Sequence, residues 1–102
     1  VEVPFETTIA GILIRGRIDA VYPDGDGFQV VDWKTGSKQL GKSAQVQLAM
    51  YRLAWAKLSG CDISKISAAF HYVPTGITDT PSDLLDESAL ISLITSVENK
   101  NL

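Results

Sequence analysis

Two charged residues lie close together at the end of an apolar run. The segment FQVVDWKTG, residues 28–36, places Asp32 and Lys34 two positions apart, with Trp33 between them. On a β-strand, residues two apart project from the same face, so the Asp32 carboxylate and the Lys34 ammonium are expected side by side. If this strand pairs with the preceding RGRIDAVY through the turn PDGDG, Asp19 comes close to Asp32.

Two neighbouring carboxylates favour a divalent cation. Like charges about 4 Å apart repel by roughly 4 kcal/mol at an effective dielectric near 20, and a cation between them removes that cost. Oxygen ligands suit Mg²⁺ or Mn²⁺, with Asp19, Asp32 and the backbone carbonyl of Trp33 as the predicted ligands. Lys34 could then orient an attacking water and stabilise charge on a displaced phosphate. The alternative is an ordinary Asp–Lys pair at a strand end.

A polar pair on the next segment adds to this site. Gln47 and Tyr51 stand four residues apart, on one face of a predicted helix whose other positions are mostly apolar. Taken alone, the pair is more typical of a core tyrosine with a polar neighbour. His71, the only histidine, has no His or Cys partner for a zinc site and is interpreted as structural. Trp33 is expected in the core like most aromatics, or else beside the metal site.

Strands in the first third of the chain position these residues. Residues 1–10 are compatible with a strand, and GILIRGRIDAVYP alternates in polarity, with Ile18 and Ala20 predicted on one face and Asp19 on the other. The connection between the two strands is expected near residues 10–11. PDGDG lacks the further ligands of a calcium loop and is interpreted as a solvated turn into the third strand.

Two helices and one more strand complete the pattern. SAQVQLAMYRLAWAKLSG predicts a helix over about residues 43–59, with Ser43 as N-cap and Gly60 as the stop; it is apolar nearly all round, which predicts burial on several sides. ISAAFHYVP predicts a strand, TGITDTPSD a loop, and DESALISLITSVENK a second helix capped by Asp86. The order strand, strand, strand, helix, strand, helix indicates one α/β (α+β) domain over residues 1–102.

Composition and charge limit the possible functions. The 102 residues are 45% hydrophobic, enough for one modest core. A formal net charge of −3 argues against a free-standing nucleic-acid binder, but it allows a module tethered to a larger DNA-binding machine. With Cys61 as the only cysteine, the chain alone can form neither a disulfide nor an iron–sulfur cluster, and a reducing, cytoplasmic location is expected. No apolar run could span a membrane, and no phosphate-binding GxxxxGK[ST] loop occurs.

Three segments together resemble a known family. GRIDAVY, VVDWKTG and QLAMY, in this order and at these spacings, resemble motifs of the PD-(D/E)XK nuclease superfamily, specifically its RecB-like branch. With AWAKLSG and AAFHYVPTG, the resemblance covers nearly the whole chain and extends to the C-terminal domain of actinobacterial UvrD/Rep-type helicase-nucleases of the AdnB type. It implies a restriction-endonuclease-like core, a mixed central sheet flanked by helices. It also implies metal ligation by Asp19 and Asp32, a catalytic Lys34, and Gln47 and Tyr51 at the border of the active site.

The first motif of that family has no counterpart here. It lies on a helix before the first strand and commonly supplies a further metal-facing His or Glu, whereas this chain starts at about that strand and without a Met. The chain is therefore expected to be a fragment of a larger helicase polypeptide, without its N-terminal helix. Glu2 and Glu6 are conceivable substitutes, but carboxylates on a strand surface are the simpler interpretation.

The resemblance predicts a metal-dependent deoxyribonuclease of exonuclease type, acting within an ATP-dependent helicase in double-strand-break repair. Its expected partners are DNA, the helicase and ATPase domains of the same polypeptide, and a second helicase-nuclease subunit, without a membrane. A second hypothesis is a silent nuclease-fold module for DNA binding or subunit docking; the presence of Asp19, Asp32 and Lys34 argues against it. A third is a RecB-like nuclease outside a helicase, of phage or CRISPR-associated type. CRISPR-associated relatives usually carry an iron–sulfur cluster, which Cys61 alone cannot ligate.

Overall fold

A four-stranded sheet, a β-hairpin and two helices make up the fold. The computed structural model describes residues 2–9, 11–36 and 42–100, and the side chains of those residues except 42 and 94–100. In chain order the elements are β1 (Val3–Ile9), β2 (Ile12–Ile18), β3 (Ala20–Asp24), β4 (Gly27–Lys34), α1 (Lys42–Ser59), a 3₁₀ turn (Ile63–Lys65), β5 (Ile66–Tyr72), β6 (Ile77–Asp79) and α2 (Glu87–Lys100).

The sheet is mixed, as predicted. β1 and β2 form a separate antiparallel hairpin in which Ile9 lies opposite Ile12, at the predicted connection. The larger sheet has the order β3-β4-β5-β6, with β4 and β5 parallel and the two outer pairs antiparallel. Parallel neighbours need a crossover connection, and α1 supplies it between β4 and β5. A mixed α+β fold with a central sheet and flanking helices is thereby confirmed.

Helix α1 is buried on two sides. Leu48 and Ala54 belong to the core cluster that contains Val30 of β4 and Phe70 of β5, among others. Ala49 and Leu53 belong to a second cluster, which Leu90 of α2 shares with Ile9 of β1. The apolar circumference of α1 is explained by this position between the sheet and α2. Within the described residues, no helix is both long and apolar enough to cross a membrane.

The helix ends follow their local sequence signals, with one exception. Gly60 adopts a positive φ of 73° and its N–H donates to the Ala56 carbonyl over 3.0 Å, which confirms the predicted stop of α1. The Asp86 carboxylate accepts a 2.9 Å hydrogen bond from the Ala89 N–H and caps α2, also as predicted. Ser43 is not the N-cap, because α1 already begins at Lys42.

Two strand predictions need correction. A bend at Asp19 divides the predicted second strand into β2 and β3. Ile18 and Val21 both pack into the α1-facing core, whereas Ala20 lies opposite Val31 on the other face of the sheet. The predicted common face for Ile18 and Ala20 is therefore wrong, because the interruption shifts the alternation by one residue.

The segment TGITDTPSD is not entirely a loop. Ile77–Asp79 forms β6, which pairs with residues 70–72 of β5 after a turn at Gly76. Pairing satisfies backbone groups of β5 that its edge would otherwise expose. Three residues are too short a strand for polarity alternation to reveal it in the sequence.

Candidate functional site

The C-terminal end of β4 presents the central carboxylate. Asp32 is only 6% exposed, and Lys34 extends along the same face with its Nζ 3.1 Å from Asp32 Oδ2. Trp33 turns to the opposite face and is 47% exposed, so the expectation that it lies in the core is wrong. The period of two predicted the Asp32–Lys34 contact, and their partial burial distinguishes it from a fully solvated surface pair.

The bend between β2 and β3 brings Asp19 to the same place. Its Oδ2 accepts a 2.9 Å hydrogen bond from the backbone N–H of Trp33. Antiparallel pairing of β3 with β4 starts at Val31, so Trp33 lies beyond the end of β3. The Lys34 carbonyl accepts from the Val73 N–H on the β5 side. Since successive residues of a strand direct their backbone groups to opposite edges, the Trp33 carbonyl points to the edge where Asp19 lies.

Burial and charged neighbours change the pKa of Asp32. Burial raises the pKa of the Asp32 carboxyl, and the adjacent Asp19 carboxyl raises that pKa further, while Lys34 acts in the opposite direction. Asp32 Oδ2 is buried and, although Lys34 Nζ lies within ion-pair distance, it receives no well-directed hydrogen bond from a described residue. The pair is thus arranged to share a proton or a cation.

The donor atoms fit a divalent cation of the Mg²⁺ or Mn²⁺ type. Two carboxylates and a backbone carbonyl offer oxygen ligands, and the under-coordinated Oδ2 of Asp32 is the atom that a cation would satisfy. Within the described part of the chain, no group of three His, Cys, Asp or Glu side chains converges. Glu2 and Glu6 instead pair with Arg17 and Arg15 on the exposed hairpin, which confirms that they are strand-surface carboxylates.

Helix α1 supplies the predicted polar pair. Gln47 Nε2 donates a 2.8 Å hydrogen bond to Tyr51 Oη. Burial raises the pKa of the Tyr51 phenol, and the negative charges of Asp32 and Asp19 raise it further, whereas the Gln47 bond lowers it. The four-residue spacing thus produces the Gln47–Tyr51 contact, and the Tyr51 phenol lies within the electrostatic influence of both carboxylates.

Two residues that the sequence analysis did not single out position Tyr51. The rings of Phe5 and Tyr51 meet edge to face, with centroids 5.7 Å apart and planes at 75°. Gly16, opposite Phe5, makes room for this contact, because a Cβ there would lie 2.8 Å from Phe5 Cζ and 3.5 Å from Tyr51 Cε1. An isolated glycine inside a strand of bulky residues was the available signal.

A cleft of about 470 Å³ opens beside Phe5 and Tyr51. It runs between the β1–β2 hairpin and the first half of α1, and it reaches the Gln47–Tyr51 pair. Its lining combines apolar, aromatic and polar side chains, among them Phe5, Ile14, Arg15, Met50, Gln47 and Tyr51. The cleft therefore leaves the polar atoms of Gln47 and Tyr51 beside open space.

The residues interpreted as structural lie elsewhere. His71 contacts Thr78 Oγ1 through Nδ1 at 2.9 Å, on the sheet face away from Asp32. Asp26 of the PDGDG turn is exposed and pairs with Lys65 at 3.2 Å, as a solvated turn requires. Cys61 is a half-buried free thiol. None of these three side chains is brought to the Asp19–Asp32 pair.

Comparison with known proteins places the chain among similar proteins of one family and one fold. Residues 1–94 match the family model of the PD-(D/E)XK nuclease superfamily. The chain is 34% identical over 86 residues to the Gene 69 protein of Mycobacterium phage D29; the match covers 84% of this chain but only 31% of that protein. The crystal structure of the protein SSO0001 superposes with a TM-score of 0.55 at 19% identity, over all of this chain and 49% of the other, which indicates a shared fold.

Proposed function

Since the chain belongs to the PD-(D/E)XK nuclease superfamily, we propose that it hydrolyses phosphodiester bonds of DNA with the help of Mg²⁺ or Mn²⁺. The observation that carries this proposal is the meeting of Asp19 and Asp32 beside Lys34, with Asp32 Oδ2 buried and short of a directed hydrogen bond. Asp19, Asp32 and the Trp33 carbonyl would hold the cation. When bound, it would acidify a water and withdraw charge from the phosphate.

Lys34 supplies the positive charge of the protein at this site. Its side chain is 28% exposed, so the ammonium is anchored at Asp32 yet can reach solvent and substrate. An ammonium donates up to three hydrogen bonds, so Lys34 can hold Asp32 and still orient the attacking water or a phosphate oxygen. Negative charge grows on the phosphate oxygens as the bond breaks, and this stabilisation then strengthens.

Tyr51 acts as a hydrogen-bond donor at the edge of the site. A tyrosine phenol is protonated at neutral pH, and the upward shift of the Tyr51 pKa by burial favours the same form. Because the phenol oxygen already accepts from Gln47 Nε2, its own proton is available to another acceptor. We assign that acceptor as a phosphate oxygen of DNA in the adjoining cleft, so Gln47 and Tyr51 position the substrate while Lys34 assists the chemistry.

The proposal extends to the polypeptide and the process in which the domain acts. The RecB-like motifs support a cytoplasmic nuclease domain, residues 1–102 of a larger polypeptide, that receives DNA from helicase and ATPase domains of the same chain. There it would act as an exonuclease in double-strand-break repair, with a second helicase-nuclease subunit as partner. The similarity to a mycobacteriophage protein favours a second setting, a RecB-like nuclease outside a helicase. A GxxxxGK[ST] ATPase motif encoded upstream in the same gene would support the helicase polypeptide. A gene without this motif would support the nuclease outside a helicase.

Titration of Mn²⁺ into the protein, followed by cleavage of linear DNA in Mg²⁺, tests the reaction. Asp19→Ala and Asp32→Ala are expected to lose Mn²⁺ binding and cleavage together, because each removes a charged ligand. Lys34→Met is expected to keep Mn²⁺ binding and lose cleavage. Asp24→Ala, an exposed carboxylate on the β3–β4 turn, is the matched control and should change neither.

Two results would count against the proposal. Cleavage by Asp32→Ala would show that this carboxylate is not part of the reaction. Mn²⁺ binding at Asp19 and Asp32 without cleavage by the full-length wild-type protein would instead favour the silent module for DNA binding or subunit docking. ATPase activity of the full-length protein, where present, should be unchanged by Asp32→Ala and reports that the variant is folded.

A further inference from the structure

The cleft between the β1–β2 hairpin and the first half of α1 carries a positive charge in an otherwise acidic protein. Among the described residues that line it, Arg15 is the one charged side chain, while Ser43, Gln47 and Tyr51 add hydrogen-bond donors. The whole chain has a formal net charge of −3. A cleft lined by charge of one sign attracts ligands of the opposite sign, so this lining favours an anionic group.

The guanidinium of Arg15 is available to such a group. Its side chain is 72% exposed, and its ion pair with Glu6 joins Nε to Oε1 over 3.6 Å, which is longer than a hydrogen bond. Exposed ion pairs of this kind are weak. A phosphate can therefore replace Glu6 and bind two of the five N–H groups of the planar guanidinium.

Arg17 serves as an internal comparison for Arg15. It lies two residues further along β2, on the same exposed side of the strand, and its side chain is 66% exposed. It pairs more closely with its own carboxylate, because Nη1 lies 2.9 Å from Glu2 Oε2. Arg17 does not line the cleft. The two arginines thus share charge, strand and exposure but differ in their position relative to the cleft.

Strand β2 connects Arg15 to the proposed metal site. Arg15 precedes Gly16, where a Cβ would lie 3.5 Å from Tyr51 Cε1, so this part of the strand passes directly beside the Tyr51 ring. Four residues after Arg15, the same chain segment reaches Asp19. At about 3.3 Å per residue, the Cα atoms of Arg15 and Asp19 are about 13 Å apart or less. This spacing suits a phosphate further along a strand whose scissile phosphate lies at Asp19 and Asp32.

We propose that Arg15 is a positioning residue that binds a phosphate neighbouring the one that is cleaved, so that the DNA strand runs along the cleft between the hairpin and α1. Lys34 then contacts the scissile phosphate and Arg15 holds the strand beyond Tyr51. The inference rests on the proposed nuclease function and adds the path of the strand. Because the neighbouring phosphate keeps its charge throughout the reaction, Arg15 binds substrate and transition state equally well.

The first test measures DNA binding in EDTA, where no cleavage occurs. A fluorescently labelled duplex with a single-stranded dT tail is titrated with the full-length protein at salt concentrations between about 50 and 200 mM. Arg15→Gln should lower the slope of log Kd against log salt concentration by about 0.7 to 0.9, the value for one phosphate contact. Arg15→Lys keeps the charge and should retain the slope. Arg17→Gln removes the same charge outside the cleft and should also leave the slope unchanged.

Cleavage kinetics in Mg²⁺ separate positioning from chemistry. Arg15→Gln should raise KM and leave kcat close to that of wild type, because it removes a contact that is equal in the ground state and the transition state. Arg17→Gln should change neither constant. A fall in kcat with an unchanged KM would contradict the positioning role of Arg15.

Three binding results would also overturn the proposal. An unchanged slope in Arg15→Gln would show that this side chain binds no phosphate, and equal losses in Arg15→Gln and Arg17→Gln would show a general effect of charge. Absence of DNA binding by wild type at the lowest salt concentration would show that the cleft holds no strand.

The binding assay keeps this proposal apart from the nuclease function. A protein that never cuts but loses slope in Arg15→Gln retains the strand path and loses the nuclease function. A protein that cuts and keeps its slope in Arg15→Gln retains the nuclease function and loses the strand path.

Discussion

Gly16 of β2 leaves the space in which the rings of Phe5 and Tyr51 meet. In Gly16→Ala the new Cβ would lie 2.8 Å from Phe5 Cζ and 3.5 Å from Tyr51 Cε1. Carbon atoms pack at about 3.5 to 4.0 Å, so the Phe5 ring must move by roughly 0.7 to 1.2 Å. Overpacking of this kind costs about 1 to 3 kcal/mol of unfolding free energy. This is less than the roughly 5 to 15 kcal/mol of a typical domain, so the variant should fold.

The displacement should reach the proposed active site. Phe5 contacts Tyr51 edge to face, so movement of the Phe5 ring shifts the phenol that we propose as a hydrogen-bond donor to the substrate. Errors of about 1 Å in a positioning group can cost about 100-fold in rate, so we expect cleavage to fall by about 10- to 100-fold. The assays are urea unfolding and single-turnover cleavage in Mg²⁺.

Gly36→Ala is the matched control for stability, because a Cβ there meets nothing within 4 Å. Both substitutions gain about 0.4 to 1 kcal/mol by restricting the unfolded chain, so the difference between the two variants isolates the overlap at Gly16. Phe5→Leu in the Gly16→Ala background should restore part of the stability, with a coupling of about 0.5 to 3 kcal/mol. Gly16→Ala with the stability of Gly36→Ala and with wild-type cleavage would refute the role of this ring contact.

Two further predictions concern buried charge. In metal-free protein the pKa of Asp32 is higher in the folded state than in the unfolded state, where it is near 3.8. The protonated carboxyl therefore stabilises the fold below pH 3.8, and this stabilisation is lost as the pH rises through the folded-state pKa. The unfolding free energy of Asp32→Asn, measured with urea in EDTA, should therefore rise relative to that of wild type between pH 3 and pH 7. The same difference between variant and wild type at both pH values would contradict this prediction. Arg52 donates to the carbonyls of Ile63 and Ile66, so Arg52→Met should cost about 1 to 3 kcal/mol. Lys57→Met is the control, because it breaks only the surface pair with Glu87 and should cost about 0 to 1 kcal/mol of unfolding free energy. Equal losses of unfolding free energy in Arg52→Met and Lys57→Met would exclude this role of Arg52.

Local periodicity predicted the contacts that lie within one element. Asp32 and Lys34 share a face because a strand repeats every two residues, and Gln47 and Tyr51 form a hydrogen bond because a helix brings residues four apart together. The Asp86 cap of α2 followed from the same kind of local signal. These features need no knowledge of tertiary packing, which is why the sequence alone was sufficient for them.

The contacts between elements were harder to predict. The bend at Asp19 leaves no mark in a stretch that alternates well on both sides, so one continuous strand was predicted where the structure has two. Trp33 was expected in the core because aromatics usually are buried, yet it is 47% exposed on the sheet face turned away from α1. Phe5 and Gly16 meet only after the hairpin has formed under α1, which local patterns do not encode.

The bend at Asp19 and the chemistry at Asp32 have the same structural origin. A continuous second strand would pair with β4 along its whole length, and the backbone N–H and carbonyl of Trp33 would be used in that ladder. Because β3 starts opposite Val31, the N–H of Trp33 is instead held by the Asp19 carboxylate, and its carbonyl is directed to the same open edge. One interruption therefore brings the three proposed ligands to one edge of β4.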